Sequence, residues 1–312
     1  MKVLVTCPPM LGMIDHFQPL FEHHGMEVTA PKVVQTLSVE ELIEIVPQHD
    51  GWIIGDDPAT RGVFEAGKAG RLKAAVKWGI GVDNVDFAAC KELGIPITNT
   101  PNMFGAEVAD IAMGYVIALA RETFQIDDGV RRGEWPKPRG ISLSGKTVAL
   151  VGFGDIGRNA AKRMLAADMT VIAYDPFAAD APEMPDIERA SWPDRLEEAD
   201  FLVVTSALTA SSKHLVDAAR LARAKPGIRV INVGRGPVIN EPALKAALAS
   251  GQVYSAALDV FEVEPLPMDS YLRQHPRCVF GSHNASNTAD AVARTSEIAI
   301  GNLAKFITGF KR

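Results

Sequence analysis

Three cysteines in 312 residues leave little scope for cysteine chemistry. Cys7, Cys90 and Cys278 are odd in number and far apart, which fits neither a disulfide framework nor a zinc-site spacing. They read as idle thiols in a reducing compartment. Long apolar runs are also missing, since none approaches the ~20 residues that span a bilayer. No leader is visible: Lys2 runs directly into Val3-Leu4-Val5, too short for a signal core, with Pro8 and Pro9 close behind. A cytoplasmic protein is therefore expected. Nor is there a dense basic patch. The net charge is −6, and the richest basic stretch, Arg131, Arg132, Lys137 and Arg139, is broken by Glu134 and two prolines. A binder of phosphate backbones needs clustered Lys and Arg. Nucleic acid is thus not an expected partner, and the stretch reads as a solvated loop.

What is present is ordinary globular material, 47% hydrophobic and 22% charged. At roughly 100–200 residues per domain, the length predicts two domains. Short β-branched runs alternate with helical patterns: strands at Val3–Thr6, Glu27–Ala30, Gly51–Ile54, Ala75–Lys77 and Ile97–Asn99, helices at Ile14–His24 and Val39–Val46. The same grammar restarts at Lys146, with strands Thr147–Val151, Thr170–Tyr174, Phe201–Thr205, Val230–Val233, Ser255–Leu258 and Val279–Gly281. Helices Asn159–Ala167 and Pro242–Ala249 fill two of the gaps. The predicted class is α/β: two doubly wound parallel-sheet domains, Rossmann-like or flavodoxin-like, with a cleft between them. A long helix carries Val108, Ile111, Ala112, Tyr115, Val116 and Leu119 at helical spacing. That face packs either on its own sheet or on a second subunit. The final helical pattern, Asp290–Ile307, follows the last strand of the second unit. It is expected to return to the first domain and make it discontinuous.

One motif carries chemistry without outside help. Gly152-Phe-Gly-Asp-Ile-Gly157 follows the strand Thr147–Val151 and opens a helix, expected at Arg158. In that context Gly152 permits a tight turn, Gly154 lets backbone approach a pyrophosphate, and Gly157 lets helix and strand pack closely. Asp155 and Ile156, inside the motif, are further cofactor contacts. The helix N-terminus offers N–H groups and a positive dipole end to the phosphates. Asp175 ends the next strand, 18 residues after Gly157. Its carboxylate suits ribose hydroxyls and repels a 2′-phosphate, which predicts NAD over NADP. Ser206 and Val233, at the ends of later strands, complete the expected cofactor set.

Three later segments, Ile231-Asn-Val-Gly-Arg-Gly-Pro-Val-Ile239, Ala257-Leu-Asp-Val-Phe-Glu-Val-Glu-Pro265 and Gly281-Ser-His-Asn-Ala285, resemble the D-isomer-specific 2-hydroxyacid dehydrogenases. So do Gly79-Ile-Gly-Val-Asp-Asn-Val-Asp86, similar to the family's substrate loop, and Asn99–Asn102 with Val108–Asp110, similar to its interdomain segment. The resemblance covers nearly the whole chain in the family's order. It implies a substrate domain at 1–98 plus 286–312 and an NAD-binding Rossmann domain at 99–285. It also implies interconversion of a 2-oxo acid and a D-2-hydroxy acid, with no metal and a homodimeric assembly. Arg235 would hold the substrate carboxylate and carbonyl through its planar guanidinium. His283 would serve as acid/base, its ordinary pKa lying near neutrality. Glu264 would pair with His283, orienting the ring and favouring imidazolium. Glu262 lies two residues away, and only the family pattern chooses between the two acids. Asp259 is placed near the nicotinamide carboxamide, or closes a strand into a turn. Ile80 and Gly81 would offer backbone N–H groups to the carboxylate. The other histidines, His16, His23, His24 and His49 among them, read as surface residues.

Some positions depart from the family. Ser282 and Asn284 flank His283 where proline and an aliphatic residue are usual, and Ala207 stands where proline is usual. The first-domain loop Ile54–Pro58 carries Asp56 and Asp57 where a phosphate-reading arginine is expected. Asp57 before Pro58 has the look of a helix N-cap, and Lys77 and Arg61 could supply positive charge. The sequence stops at Arg312, so the C-terminal regulatory extension of some members is not expected. Substrates left open are 3-phosphoglycerate, hydroxypyruvate, glyoxylate or a larger 2-oxo acid. Two other readings stay open: an NAD(H)-sensing corepressor-like protein, and a formate- or phosphite-type dehydrogenase.

Overall fold

The computed structural model describes residues 1–309. The chain forms two compact units: Met1–Met103 with Asn287–Arg312, and Phe104–Ser286. Each has one parallel sheet covered by helices.

The first unit contains β1 (Lys2–Val5), β2 (Glu27–Thr29), β3 (Gly51–Ile54), β4 (Ala74–Lys77) and β5 (Ile97–Asn99). Their order is β2-β1-β3-β4-β5, every pairing parallel. Central strands β3 and β4 are buried at every residue, which is why they read as continuous apolar runs rather than alternations. The helix Ala289–Gly309 belongs here: a Cβ on Gly51 would meet Leu303 and Ile307. Trp78 donates to Ser296 Oγ at 3.0 Å on the same helix.

The second unit contains β6 (Thr147–Val151), β7 (Thr170–Tyr174), β8 (Ile187–Arg189), β9 (Phe201–Val204), β10 (Ile228–Asn232), β11 (Val253–Leu258) and β12 (Cys278–Phe280). The order is β12-β11-β10-β9-β6-β7-β8, again all parallel. Counted within the unit this is 3-2-1-4-5-6-7, the Rossmann order with a seventh strand, and its direction reverses between β6 and β9. The long helix, Gly105–Arg121, buries Val108, Ala112, Tyr115, Val116 and Leu119 but leaves Ile111 37% exposed. It packs on the helix Asp155–Leu165, and Arg163 Nε bonds Asp110 at 2.7 Å.

Several expectations need correction. The helix after the glycine motif opens at Asp155, three residues before Arg158. Strand β8 carries too few apolar residues to stand out, with Glu188 and Arg189 both exposed. Asp57 is not a helix cap: the helix runs Arg61–Ala69 behind Thr60. Asp57 is instead fully buried, accepting from Leu37 N at 2.9 Å, Gly55 N at 3.2 Å and Thr6 Oγ1. Burial pushes its carboxyl above the usual range, against those donors. His49 is no surface residue either. It is 4% exposed, with Nδ1 bonded to Ile45 O and Nε2 to Thr29 Oγ1. Among the described residues no helix is long and apolar enough to cross a membrane, and no group of three or more His, Cys, Asp or Glu side chains could hold a metal.

Candidate active site

Ligands of doubly wound sheets bind beyond the strand C-termini where strand order reverses. In the second unit that point lies between β6 and β9, and the glycine motif follows β6 there. Gly152 has φ +97°, and a Cβ on it would lie 2.7 Å from Ser206 Cα, in the loop after β9. A Cβ on Gly157 would overlap Gly152 O. Packing alone therefore demands both glycines. Gly154 differs: a Cβ there would meet nothing within 4 Å. Its missing side chain leaves open space at the N-terminus of Asp155–Leu165, where no side chain caps the first turn. That cradle fits a pyrophosphate. Asp155 turns its carboxylate toward Gly105 and accepts from Asn159 at 3.1 Å, and Ile156 is half-buried.

Asp175, at the end of β7, ties that turn to its own loop. Oδ2 accepts from Phe153 N at 2.8 Å, and Oδ1 from Phe177 N and Ala178 N at 2.9 and 3.1 Å. Ser206 Oγ is buried and has no hydrogen-bond partner among the described residues. Leaving a buried hydroxyl unpaired costs about 1–3 kcal/mol, so a ligand donor or acceptor fits that place. Val233 is buried beside it and bonds Val204 O at 3.0 Å. These residues suit a dinucleotide.

The histidine and its acid meet directly. His283 Nδ1 lies 2.7 Å from Glu264 Oε2, and each side chain is 22% exposed. Glu264 Oε1 accepts from Phe261 N at 2.9 Å, which fixes the carboxylate plane. Glu262 points elsewhere, to His214, so the geometry separates the two acids that spacing could not. His283 has φ +55°, a left-handed backbone uncommon outside glycine. Asp259 holds it there. Its carbonyl accepts from His283 N at 2.7 Å, and its two carboxylate oxygens accept from Asn284 N and Ala285 N at 3.2 and 3.0 Å. At 3% exposure, burial raises the Asp259 carboxyl above the usual range, against those two N–H groups and the charge of His283. Gly281 is small because a Cβ would overlap Asp259 and crowd Tyr115 Oη.

Arg235 follows β10 in an extended conformation, half-buried, with Nη1 donating to Gly234 O at 3.0 Å. Asn232, 1% exposed, staples this loop. It accepts from Gly234 N and donates to Arg235 O, both at 3.0 Å. Sequence reasoning missed Asn232, though an amide ending an apolar strand is a readable signal. Gly236 abuts the Phe261–Glu262 peptide so closely that a Cβ would overlap it. The arginine loop and the glutamate loop are thus in contact, and Glu264 reaches His283. Ile80 and Gly81 belong to the other unit. Their turn follows β4, with Gly79 N bonded to Thr100 Oγ1 at 2.7 Å and Asn99 Nδ2 to Ile80 O at 3.1 Å. Lys77, 3% exposed, directs its ammonium to Gly55 O, Trp78 O and Asp56 Oδ1 at 2.7–3.1 Å. Arg61 pairs with Glu92 at 2.8 Å.

Comparison with known proteins places the chain in a family. The family model for the D-isomer specific 2-hydroxyacid dehydrogenase, NAD binding domain, matches residues 113–285. Hydroxypyruvate reductase of Thermotoga maritima is 38% identical over 283 residues, covering 89% of this chain and 90% of that protein. D-3-phosphoglycerate dehydrogenase of Methanocaldococcus jannaschii is 34% identical across 99% of this chain, which spans 58% of that protein's length. The crystal structure of TT0316 protein from Thermus thermophilus superposes with a TM-score of 0.88 at 30% identity, covering 99% of this chain and 97% of that one. The chain belongs to the D-isomer-specific 2-hydroxyacid dehydrogenase family of NAD-dependent oxidoreductases.

Proposed function

We propose that this enzyme reduces a small 2-oxo acid to the D-2-hydroxy acid, and runs the reverse, with Arg235, Glu264 and His283 as its working set. The observation that carries this is the 2.7 Å bond between His283 Nδ1 and Glu264 Oε2. A carboxylate on Nδ1 fixes the proton there, so the proton exchanged with substrate belongs to Nε2. Bound NADH supplies the hydride for C2. Reduction leaves an alkoxide, and His283 gives it the Nε2 proton; in oxidation His283 takes that proton back. Glu264 holds the ring plane and balances the imidazolium. The Arg235 guanidinium holds the substrate carboxylate and polarises its carbonyl. Ile80 and Gly81 add backbone N–H groups to the carboxylate, on resemblance alone. Gly152, Gly154, Asp155, Ile156, Gly157, Asp175, Ser206, Val233 and Asp259 form the cofactor site. The Asp259 oxygens already serve the histidine turn, so its contribution there is chiefly to shape.

Unphosphorylated acids such as hydroxypyruvate and glyoxylate are favoured over 3-phosphoglycerate. The ammonium of Lys77 has three protein acceptors, Asp56 Oδ1 among them, and Arg61 pairs with Glu92, so both cations of this region are already engaged. Hydroxypyruvate is also the compound named for the Thermotoga relative. We further place the protein in the cytoplasm as a homodimer. Supporting the dimer alone, Ile111, Ile117, Phe124, Val130 and Trp135 are exposed along Gly105–Arg121 and the residues after it. Light scattering tests the dimer. An NADH-oxidation screen over glyoxylate, hydroxypyruvate, phosphohydroxypyruvate and larger 2-oxo acids tests the reaction. Turnover with an unphosphorylated acid supports the proposal. Tight NADH binding with no turnover of any acid overturns it in favour of a nucleotide-sensing protein.

A further inference from the structure

A second histidine–carboxylate pair stands beside the one described above, built on Glu262, the acid that the family pattern passes over. His214 Nε2 lies 2.7 Å from Glu262 Oε1. Asn240 settles the tautomer. Its Oδ1 accepts from Ala243 N at 2.9 Å as the cap of the helix Glu241–Ser250, so its amide nitrogen is the atom 3.3 Å from His214 Nδ1. Nδ1 therefore accepts, and Nε2–H donates to Glu262. Glu262 is bonded a second time. Its backbone N donates to Glu241 Oε1 at 2.6 Å, and Glu241 N donates back to Glu262 Oε1 at 3.3 Å.

The placement of this cluster gives it meaning. Residues 235–241 run from Arg235 through Gly236 to the start of the helix, and residues 261–264 run from Phe261 to Glu264. Gly236 presses on the Phe261–Glu262 peptide at one end, and the Glu241–Glu262 exchange joins the segments at the other. His214 reaches Glu262 from a third segment, whose own backbone is tied to 237–238: His214 N bonds Pro237 O at 2.8 Å and Val216 N bonds Val238 O at 3.1 Å. Within one residue of this junction, Phe261 N fixes Glu264 Oε1. A half-buried carboxylate with two charged neighbours is an unfavourable way to close a loop. Burial pushes the Glu241 carboxyl up, against the bond from Glu262 N, and the charges of Glu262 and Glu264 add to it. An apolar contact would join the segments at lower cost, but without fixing the direction of the peptide that holds Glu264.

We propose that Glu241, Glu262 and His214 form a clasp that sets Glu264, and through it His283, relative to Arg235. They are positioning residues; none is assigned contact with substrate or cofactor. The inference rests on the roles proposed for Arg235, Glu264 and His283. The clasp works through acceptor oxygens rather than net charge, and that sets the test. Glu241→Ala removes the acceptor for Glu262 N, whereas Glu241→Gln keeps an Oε1 in place.

The experiment measures kcat, KM for the 2-oxo acid, NADH affinity by fluorescence and thermal midpoint for both variants, for His214→Ala and for His283→Ala. The clasp predicts that Glu241→Ala loses at least ~10-fold in kcat with NADH affinity within about twofold, and that Glu241→Gln recovers most of it. His214→Ala, at a side chain 39% exposed, leaves the fold intact and shows a smaller kcat loss of the same kind. It carries the test should Glu241→Ala not fold. Two results overturn the clasp: unchanged kcat in Glu241→Ala and His214→Ala, or losses of NADH affinity and thermal midpoint that Glu241→Gln does not repair. Failure of the catalytic assignment itself has a different signature, a His283→Ala enzyme that still turns over.

Discussion

Replacing Gly154 by alanine separates folding from cofactor binding within one turn. At Gly152 and Gly157 a methyl group would collide with backbone, so alanine there tests only packing. At Gly154 the added Cβ meets nothing within 4 Å, and φ of −80° suits any residue. The folding cost is the poorer N-cap propensity of alanine, about 0.5–1 kcal/mol. At about 2.1 cal/mol/K of unfolding entropy per residue, that lowers the melting midpoint by only about 1–2 °C. The Cβ would instead occupy the space in front of the helix Asp155–Leu165, the place proposed for the pyrophosphate. Displacing phosphate from those N–H groups by one methyl should weaken NADH binding by about 10–100-fold, or ~1.4–2.8 kcal/mol. Fluorescence titration with NADH, beside calorimetry of the free protein, gives both numbers. An unchanged dissociation constant in a folded variant would show that the open space at Gly154 is not the phosphate site.

Three other substitutions probe separate links. Glu264→Gln keeps an acceptor for Phe261 N but removes the charge beside His283; kcat should fall about 10²-fold with NADH affinity unchanged, as steady-state kinetics and fluorescence would show. Asp175→Asn should lower the ratio of kcat/KM for NADH over NADPH by about tenfold or more, because the charge that repels a 2′-phosphate is gone; an unaltered ratio places nucleotide selection elsewhere. The third concerns stability against pH. Burial pushes the Asp50 carboxyl up, but Lys73, the backbone N–H of Lys2 and Arg71 outweigh it and hold it at about 2. Since the unfolded value is near 3.9, this stabilisation is present above pH ~4 and lost as pH falls through about 2. Screening through the half-exposed Arg71 and Lys73 limits it to about 1–2 kcal/mol. Urea unfolding of Asp50→Asn should show that deficit at pH 5 and at most about 0.5 kcal/mol near pH 2; a constant deficit would refute it.

The sequence told most where local pattern and tertiary role coincide. Strands β3, β4 and β9 bury every residue, so their apolar runs need no partner to be recognised. The glycine turn, its helix and Asp175 lie within 24 residues, and spacing alone assembles them. The proposed catalytic set is different in kind. Arg235, Glu264 and His283 are brought together by loops after three separate strands, and no periodicity records that meeting. Residue chemistry made the roles sensible, but resemblance chose Glu264 over Glu262. The reason appears only in three dimensions: Glu262 faces His214, while Glu264 faces His283. Asp57 shows the opposite error. An acid before proline is a good cap signal, yet the buried donors Leu37 N and Gly55 N and the Thr6 hydroxyl claim its carboxylate. Tertiary hydrogen bonding overrode a local rule. Asn232 and the His214–Glu262–Glu241 cluster were missed because a buried amide or a reciprocal carboxylate–peptide bond leaves no spacing signature.

The role of His283 is tested most directly by His283→Ala, assayed for NADH oxidation with the best 2-oxo acid and for NADH binding by fluorescence. Turnover should fall by about 10³-fold or more while NADH binds within about twofold of the unaltered enzyme. Near-normal turnover in that variant would contradict the assignment of proton transfer to this residue.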